Sequence, residues 1–254
     1  MSALTEIAAG VYVATSEFAL TNTVVVAGTD GACLVIDPGV TVAEMAALAD
    51  EIAARGLRVS TAWSTHPHWD HVLWHAALGA TPRFAAPAAV HVAETERDAM
   101  MAGAEQSAPG HDLALCGQLT PLAGDAIDWA GPAARLIVHD GHAPGHGAVF
   151  FPGTGVIAVG DMCSDVEIPL LDTDGADPLG DYRTGLARLA AVPGVRTVVP
   201  GHGHVGDGDE FRRRIATDTA YLDQLGLGQP FGDARIGQDW MRVCHDEQLR
   251  YCQR

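Results

Sequence analysis

The chain has 254 residues, 48% of them apolar, which is enough for one large α/β domain with a full core. Its formal charge of −17 disfavours contact with phosphate backbones and so argues against a nucleic-acid partner. No apolar stretch reaches about 18 residues, MSALTEIAAGVYV has no basic region or cleavage site, and Cys33, Cys116, Cys163, Cys244 and Cys252 form no CxxC pair. The sequence therefore predicts no membrane span, no signal peptide, and reduced thiols in a cytoplasm.

Taken in chain order, the β-branched runs Val24–Ala27 and Cys33–Ile36 flank Gly28-Thr29-Asp30-Gly31 and predict a hairpin. Asp37-Pro38-Gly39 ends its second strand. Thr41 and Glu44 are spaced as a capping box, and Val42, Met45, Leu48 and Ile52 follow at helical spacing until Gly56. Val59–Trp63 is the next strand, and it delivers the chain into Ser64-Thr-His-Pro-His-Trp-Asp-His71. A short helix over about Val72–Leu78, a strand near Phe84 and a helix from Pro87 towards Met101 are expected beyond it. Residues 102–126 are punctuated by Gly and Pro without clear period, as in a lid or binding loop. Leu136–Val138, Ala148–Phe151, Val156–Val159 and Thr197–Val199 read as strands. Tyr182–Ala191 and about Glu210–Leu225 read as helices. No linker or repeat divides the chain, so one domain over 1–254 is expected, with its core at about 10–225 and a tail at 226–254. The alternation of elements suits a layered α/β fold whose site lies where strands end.

Twelve histidines are present, and they cluster. In the extended segment His66-Pro-His68, residues two apart point the same way and can grip one metal ion. Asp70 and His71, on the turn beyond, can face a second ion. Further candidates sit at strand ends: Asp140-Gly-His142-Ala-Pro-Gly-His146, Gly160-Asp161, and Pro200-Gly-His202-Gly203. Glycine beside each lets backbone approach an ion closely.

HxHxDH, GHAPGH, GD and PGHG in this order, after the strand-turn LVIDPG (Leu34–Gly39), resemble the metallo-β-lactamase superfamily over roughly residues 10–225. The resemblance implies an αββα four-layer sandwich: two mixed sheets face to face, helices outside, and a binuclear metal site at one edge. It implies that His66, His68 and His142 hold one metal, that Asp70, His71 and His202 hold the second, and that Asp161 bridges both. The family pattern puts the ligand first in GHxPG, so His142 is the expected ligand and His146 its supporting neighbour. His204 is expected at the surface beside His202. An aspartate at the bridging position resembles the glyoxalase II and lactonase branches, and Cys163, two residues on, is read as packing.

All-His/Asp ligation suits two Zn²⁺, with Fe or Mn compatible by ligand type. A water shared by two such ions loses a proton readily, and the resulting hydroxide attacks a carbonyl carbon, with Asp70 orienting it. The expected activity is hydrolysis of a small carbonyl substrate: an ester, lactone, thioester or β-lactam. The chain has no GxSxG serine elbow that would offer another route. An iron-dependent redox reaction of the persulfide dioxygenase kind, also implied by the resemblance, is the alternative. Metal-bound imidazoles need a partner for their other N–H; Asp37 is the candidate, with Thr65 behind it. Trp69, whose neighbours must point at metal, is expected at the cleft mouth. Trp74, Phe84, Met100 and Met101 are expected in the core. Arg212, Arg213 and Arg214 spread around a helix and so form no single glutathione-binding patch. The tail, with Trp240, Met241 and Tyr251, can pack on the domain or make a homodimer contact.

Overall fold

Two sheets pack face to face in the computed structural model of the chain, which describes residues 1–237 and 239–253. Among the described residues the first sheet has seven strands in sequence order: β1 (Thr5–Ala8), β2 (Val11–Thr15), β3 (Asn22–Ala27), β4 (Ala32–Ile36), β5 (Arg58–Trp63), β6 (Arg83–Ala85) and β7 (Thr120–Pro121). Strands β1 to β4 pair antiparallel; β4 to β7 pair parallel. The second sheet comprises β8 (Ala126–Ile127), β9 (Ala134–His139), β10 (His146–Phe151), β11 (Val156–Ala158), β12 (Thr197–Val199) and β13 (Gly206–Asp207), in the spatial order β13-β12-β11-β10-β9-β8. Only its β11–β12 pair is parallel.

Strand periodicity decides the layers. Val24, Val26, Leu34 and Ile36 point inward and meet Leu136, Val149, Phe151 and Val156 between the sheets. Their alternates Val25, Cys33 and Val35 point outward onto Leu48 and Ile52 of α1 (Val42–Ala54). On the other side, Ala148, Phe150 and Ile157 pack against α4 (Pro178–Ala190) and α5 (Gly208–Gly226), through Tyr182, Leu186, Leu189, Phe211, Leu222 and Leu225. This is the αββα sandwich expected. Each fully buried Leu or Ile in these layers contributes about 1.5–3 kcal/mol of transfer free energy. The capping box of α1 is formed: Thr41 Oγ1 accepts from Glu44 N–H and Glu44 Oε2 accepts from Thr41 N–H.

Several local expectations are corrected. The short helix over Val72–Leu78 is two separate 3-10 turns, Trp69–His71 and Ala76–Leu78. Between them Val72 and Leu73 are buried in an apolar cluster, and the His75 ring accepts from Ala77 N–H, which starts the second turn afresh. The helix from Pro87 is two, α2 (Pro87–Thr95) and α3 (Arg97–Ser107), broken at Glu96 (φ −105°, ψ 14°). Residues 102–126 are not a lid: α3 runs to Ser107, Cys116 is buried, Leu113 and Leu119 pack inward, and Thr120–Pro121 adds the edge strand. Strands β1 and β2 precede the hairpin and extend the first sheet antiparallel from β3. The tail contributes α6 (Asp239–Cys252), and Ile236, Met241 and Leu249 join the core against α5.

This topology brings the loops after β4, β5, β9, β11 and β12 to one edge. The sheets are fastened together there. Asn22 N–H donates to the Gly201 carbonyl at 2.7 Å, and the Asn22 side-chain amide donates to the carbonyls of Pro200 (3.0 Å) and Gly203 (2.9 Å). No helix among the described residues is long and apolar enough to cross a membrane.

Candidate metal centre

The loop after β5 is fixed from behind by Asp37. Asp37 sits at the end of β4 with φ 51°, a left-handed conformation that costs a non-glycine residue about 1 kcal/mol or more. That twist turns the carboxylate into the loop. Oδ1 accepts from Thr65 N–H at 2.9 Å, while Oδ2 accepts from Thr65 Oγ1–H at 2.7 Å and from His71 Nδ1–H at 3.0 Å. Thr65 Oγ1 in turn accepts from His66 Nδ1–H at 3.0 Å. One carboxylate thus fixes the tautomer and tilt of two imidazoles, leaving the Nε2 atom of each facing the interior of the site.

The first group comprises His66, His68, His142 and Asp161, whose donor atoms all lie within 4.8 Å of one another. His68 Nδ1 is 3.1 Å from His66 Nε2 and 3.0 Å from His142 Nε2. His142 Nδ1–H donates to the Leu170 carbonyl at 3.0 Å, so its Nε2 carries a lone pair. Burial holds His66 and His142 well below the usual histidine range. Imidazole nitrogens from His66, His68 and His142 therefore converge at about 3 Å, an arrangement that suits a shared cation.

The second group is Asp70, His71 and His202. His202 Nδ1–H donates to the Ala19 carbonyl at 3.0 Å, and its Nε2 lies 3.2 Å from Asp70 Oδ2 and 3.3 Å from His71 Nε2. Burial works against charge on His202, but Asp161 and Asp70 outweigh it and push the imidazole up to about 12.

Asp161 lies between the two groups. Its Oδ2 is 3.3 Å from His66 Nε2, 3.6 Å from His142 Nε2 and 3.3 Å from His202 Nε2, while Oδ1 is 3.4 Å from His71 Nε2. Burial pushes its carboxyl up, yet the surrounding imidazoles of His202, His71 and His66 hold it well below the usual range. Oδ1 is buried and accepts no well-formed hydrogen bond. Such an orphaned acceptor costs about 1–3 kcal/mol unless a partner fills its place. The orphaned oxygen and the opposed lone pairs both fit a pair of divalent ions. A side chain at Gly201 would collide with this same Oδ1, so glycine is required there.

All seven expected ligands are thus brought together. His146 lies behind them: its ring stacks on His66 with centroids 4.9 Å apart, and its Nε2–H donates to the Val159 carbonyl at 2.8 Å. His204 is outside, exposed and paired with Asp165 at 2.8 Å. Cys163 is buried in the core, where burial raises its thiol well above the usual value. Arg212 and Arg213 pair with Asp209 and Glu210 at the surface, and Arg214 is buried against Glu210 and Asp165. The centre opens into a cleft of about 1240 Å³. Trp69 lies on its wall, half-buried and edge-on to Phe18 at 5.3 Å, with Met100, Leu170 and Trp240 around it.

Sequence reasoning missed Glu167. It is only 6% exposed, lines the cleft, and forms a third group with Asp161 and His202. Burial raises its carboxyl to about 7. Nothing in Ser-Asp-Val-Glu-Ile-Pro marks it. It arrives because Ser164 Oγ accepts from the N–H groups of Val166 and Glu167, which turns the chain back towards the site.

Comparison with known proteins identifies a family and its fold. The sequence profile of the metallo-beta-lactamase superfamily matches residues 17–202. A hydroxyacylglutathione hydrolase of Ruegeria pomeroyi is 27% identical over 182 residues, which are 70% of this chain and 62% of that one. The chain thus spans about three fifths of that relative's length. Among solved structures, a beta-lactamase domain protein from Burkholderia ambifaria superposes with a TM-score of 0.70 at 21% identity, covering 98% of this chain and 86% of that one. Another protein, solved in a di-iron-bound form, gives 0.63 at 26% identity over 80% of this chain and 97% of its own.

Proposed function

The chain belongs to the metallo-beta-lactamase superfamily, and from that premise we propose that it is a binuclear metal-dependent hydrolase of small carbonyl compounds. His66, His68 and His142 would hold one ion, Asp70, His71 and His202 the other, and Asp161 would serve both. The observation that carries this reading is Asp161 itself, within 3.3–3.6 Å of imidazole nitrogens from both groups and left with a buried, unsatisfied oxygen.

Two divalent ions bound there would supply Lewis acidity for the carbonyl oxygen and bring the pKa of water to about 7. The chain's own residues do the rest. Asp37 keeps His66 and His71 in the tautomer that offers Nε2 inward. Asp70, beside His202 Nε2, would orient the attacking water by accepting a hydrogen bond from it. Trp69, Phe18 and Met100 hold the apolar part of the substrate and keep bulk water from the reacting carbonyl. The matched hydroxyacylglutathione hydrolase supports attack at a carbonyl carbon. Zinc is the proposed ion by donor type. The di-iron-bound relative makes iron the second ion to load.

The test is a substrate panel. Protein loaded with two equivalents of Zn²⁺, or in parallel of Fe²⁺, is assayed on aryl esters, lactones, thioesters and cephalosporins. Hydrolysis of at least one class is expected, abolished in Asp161→Ala. Absence of turnover across the panel, together with persulfide-dependent oxygen consumption by the iron form, would replace hydrolysis with redox chemistry.

A further inference from the structure

Apart from the imidazoles of the metal groups, the ionisable side chains lining the cleft are all acidic. Every one of the 15 basic residues in the chain is an arginine. Among the described residues lining the cleft none is an arginine, whereas Glu96, Glu167, Asp172 and Asp174 all line it in addition to Asp70 and Asp161. The arginines with resolved partners are engaged elsewhere: Arg235 with Asp218 and Asp233, Arg214 with Glu210, Arg183 with Asp223.

Glu167 makes this more than a solvated acidic rim. The residue is only 6% exposed, borders the cleft, and among the described residues its carboxylate accepts no hydrogen bond. The nearest imidazole nitrogen, His202 Nδ1 at 4.0 Å, already has its N–H on the Ala19 carbonyl. The nearby guanidinium of Arg235 donates to the Glu167 backbone carbonyl at 2.9 Å and to Asp218, so the carboxylate's charge partner is the His202 imidazole at 4.0 Å, beyond hydrogen-bonding reach. A carboxylate that borders a cleft and takes no hydrogen bond from the protein keeps its acceptor capacity for a donor on a ligand. Asp70, Asp161 and Glu167 together also offset most of the charge that two divalent ions would bring. Little net attraction for an anion is left at the centre, and the outer carboxylates repel one at the mouth.

We propose that the cleft takes carbonyl compounds bearing an ammonium or other N–H donor on an apolar body, with Glu167 receiving that donor, and turns away anionic ones. This rests on the hydrolase reading and narrows it. A glutathione thioester, whose two carboxylates need basic partners, fits this cleft poorly, although the matched relative bears a hydroxyacylglutathione hydrolase name.

The test uses matched probes on the full, zinc-loaded chain. Three dansyl amides with the same six-carbon arm, ending in ammonium, methyl or carboxylate, are titrated by fluorescence. The corresponding 4-nitrophenyl esters are assayed for kcat/KM. The ammonium form is expected to bind best and the carboxylate form at least about tenfold more weakly at low salt, with the gap closing as salt screens it. E167Q should keep both metal ions and lose the preference for ammonium over methyl. The exposed double variant E96Q/D174N should narrow the ammonium-to-carboxylate ratio by about two- to threefold. Equal or tighter binding of the carboxylate probe would overturn the proposal, as would loss of a metal ion from E167Q, which would make that carboxylate a ligand. If no ester is turned over while the probes keep their ranking, the hydrolase reading fails and the charge selection stands.

Discussion

Asp37 governs the centre at the scale of single residues, although it touches no expected ion. Its strained backbone and three accepted hydrogen bonds set both imidazoles that flank the metal loop. Asp37→Asn keeps the shape but replaces one acceptor oxygen by a donor, which opposes either Thr65 or His71. Its zinc affinity, measured by competition with a chelator, should fall about 10- to 100-fold. The two histidines of HAPGH differ just as sharply. His142→Ala should lose one of two ions in an elemental analysis. His146→Ala should keep both while losing about 1–3 kcal/mol of stability, because it vacates a buried stack on His66. The reverse pattern would exchange their roles. The sequence disclosed the ligands because four of them stand within six residues and the others follow strands. It did not disclose Glu167, whose role depends on a Ser164 turn with no sequence signature.

Among the elements, α1 shows how a local signal is reused in tertiary structure. Glu44 completes the capping box and also accepts from Ser16 Oγ–H at 2.8–2.9 Å and from Glu17 N–H at 3.1 Å. Burial pushes its carboxyl up, but hydrogen bonds from Thr41, the Met1 ammonium at 2.9 Å, Ser16 and Glu17 bring it down from 4.5 to about 2. A folded-state pKa below the unfolded one stabilises the fold above the unfolded value, and that stabilisation disappears as pH falls from about 4.5 to about 2. Urea titrations over this range should show that loss in the parent chain. Glu44→Gln should flatten the slope and cost about 1–2 kcal/mol at pH 7. An unchanged slope would deny Glu44 this role. The cap was legible because its two partners are three residues apart. The two-residue edge strands Thr120–Pro121 and Ala126–Ile127 were not, since pairing across the sheet defines them and no periodicity fits in two residues. The break at Glu96 was hidden for a similar reason: no glycine or proline marks it.

At the scale of the whole molecule, the centre is a clasp between two sheets. Its ligands come from the ends of β5, β9, β11 and β12, and Asn22 ties the first sheet to the loop carrying His202. Ions held by both sheets must therefore stabilise the fold. Chelation should lower Tm by about 5–10 °C, as expected for a ligand present at about a hundred times its Kd. No shift on chelation would place the ions outside the sandwich. Periodicity alone pointed to a layered α/β fold. The specific αββα order came with the motif resemblance, because helices over both outer faces are a property of topology and not of any one segment. The central claim is tested most directly by an anomalous-difference map at the zinc edge from crystals of the loaded protein. The account predicts two peaks, one against His66, His68 and His142, one against Asp70, His71 and His202, with Asp161 between them. One peak alone, or peaks away from Asp161, would contradict it.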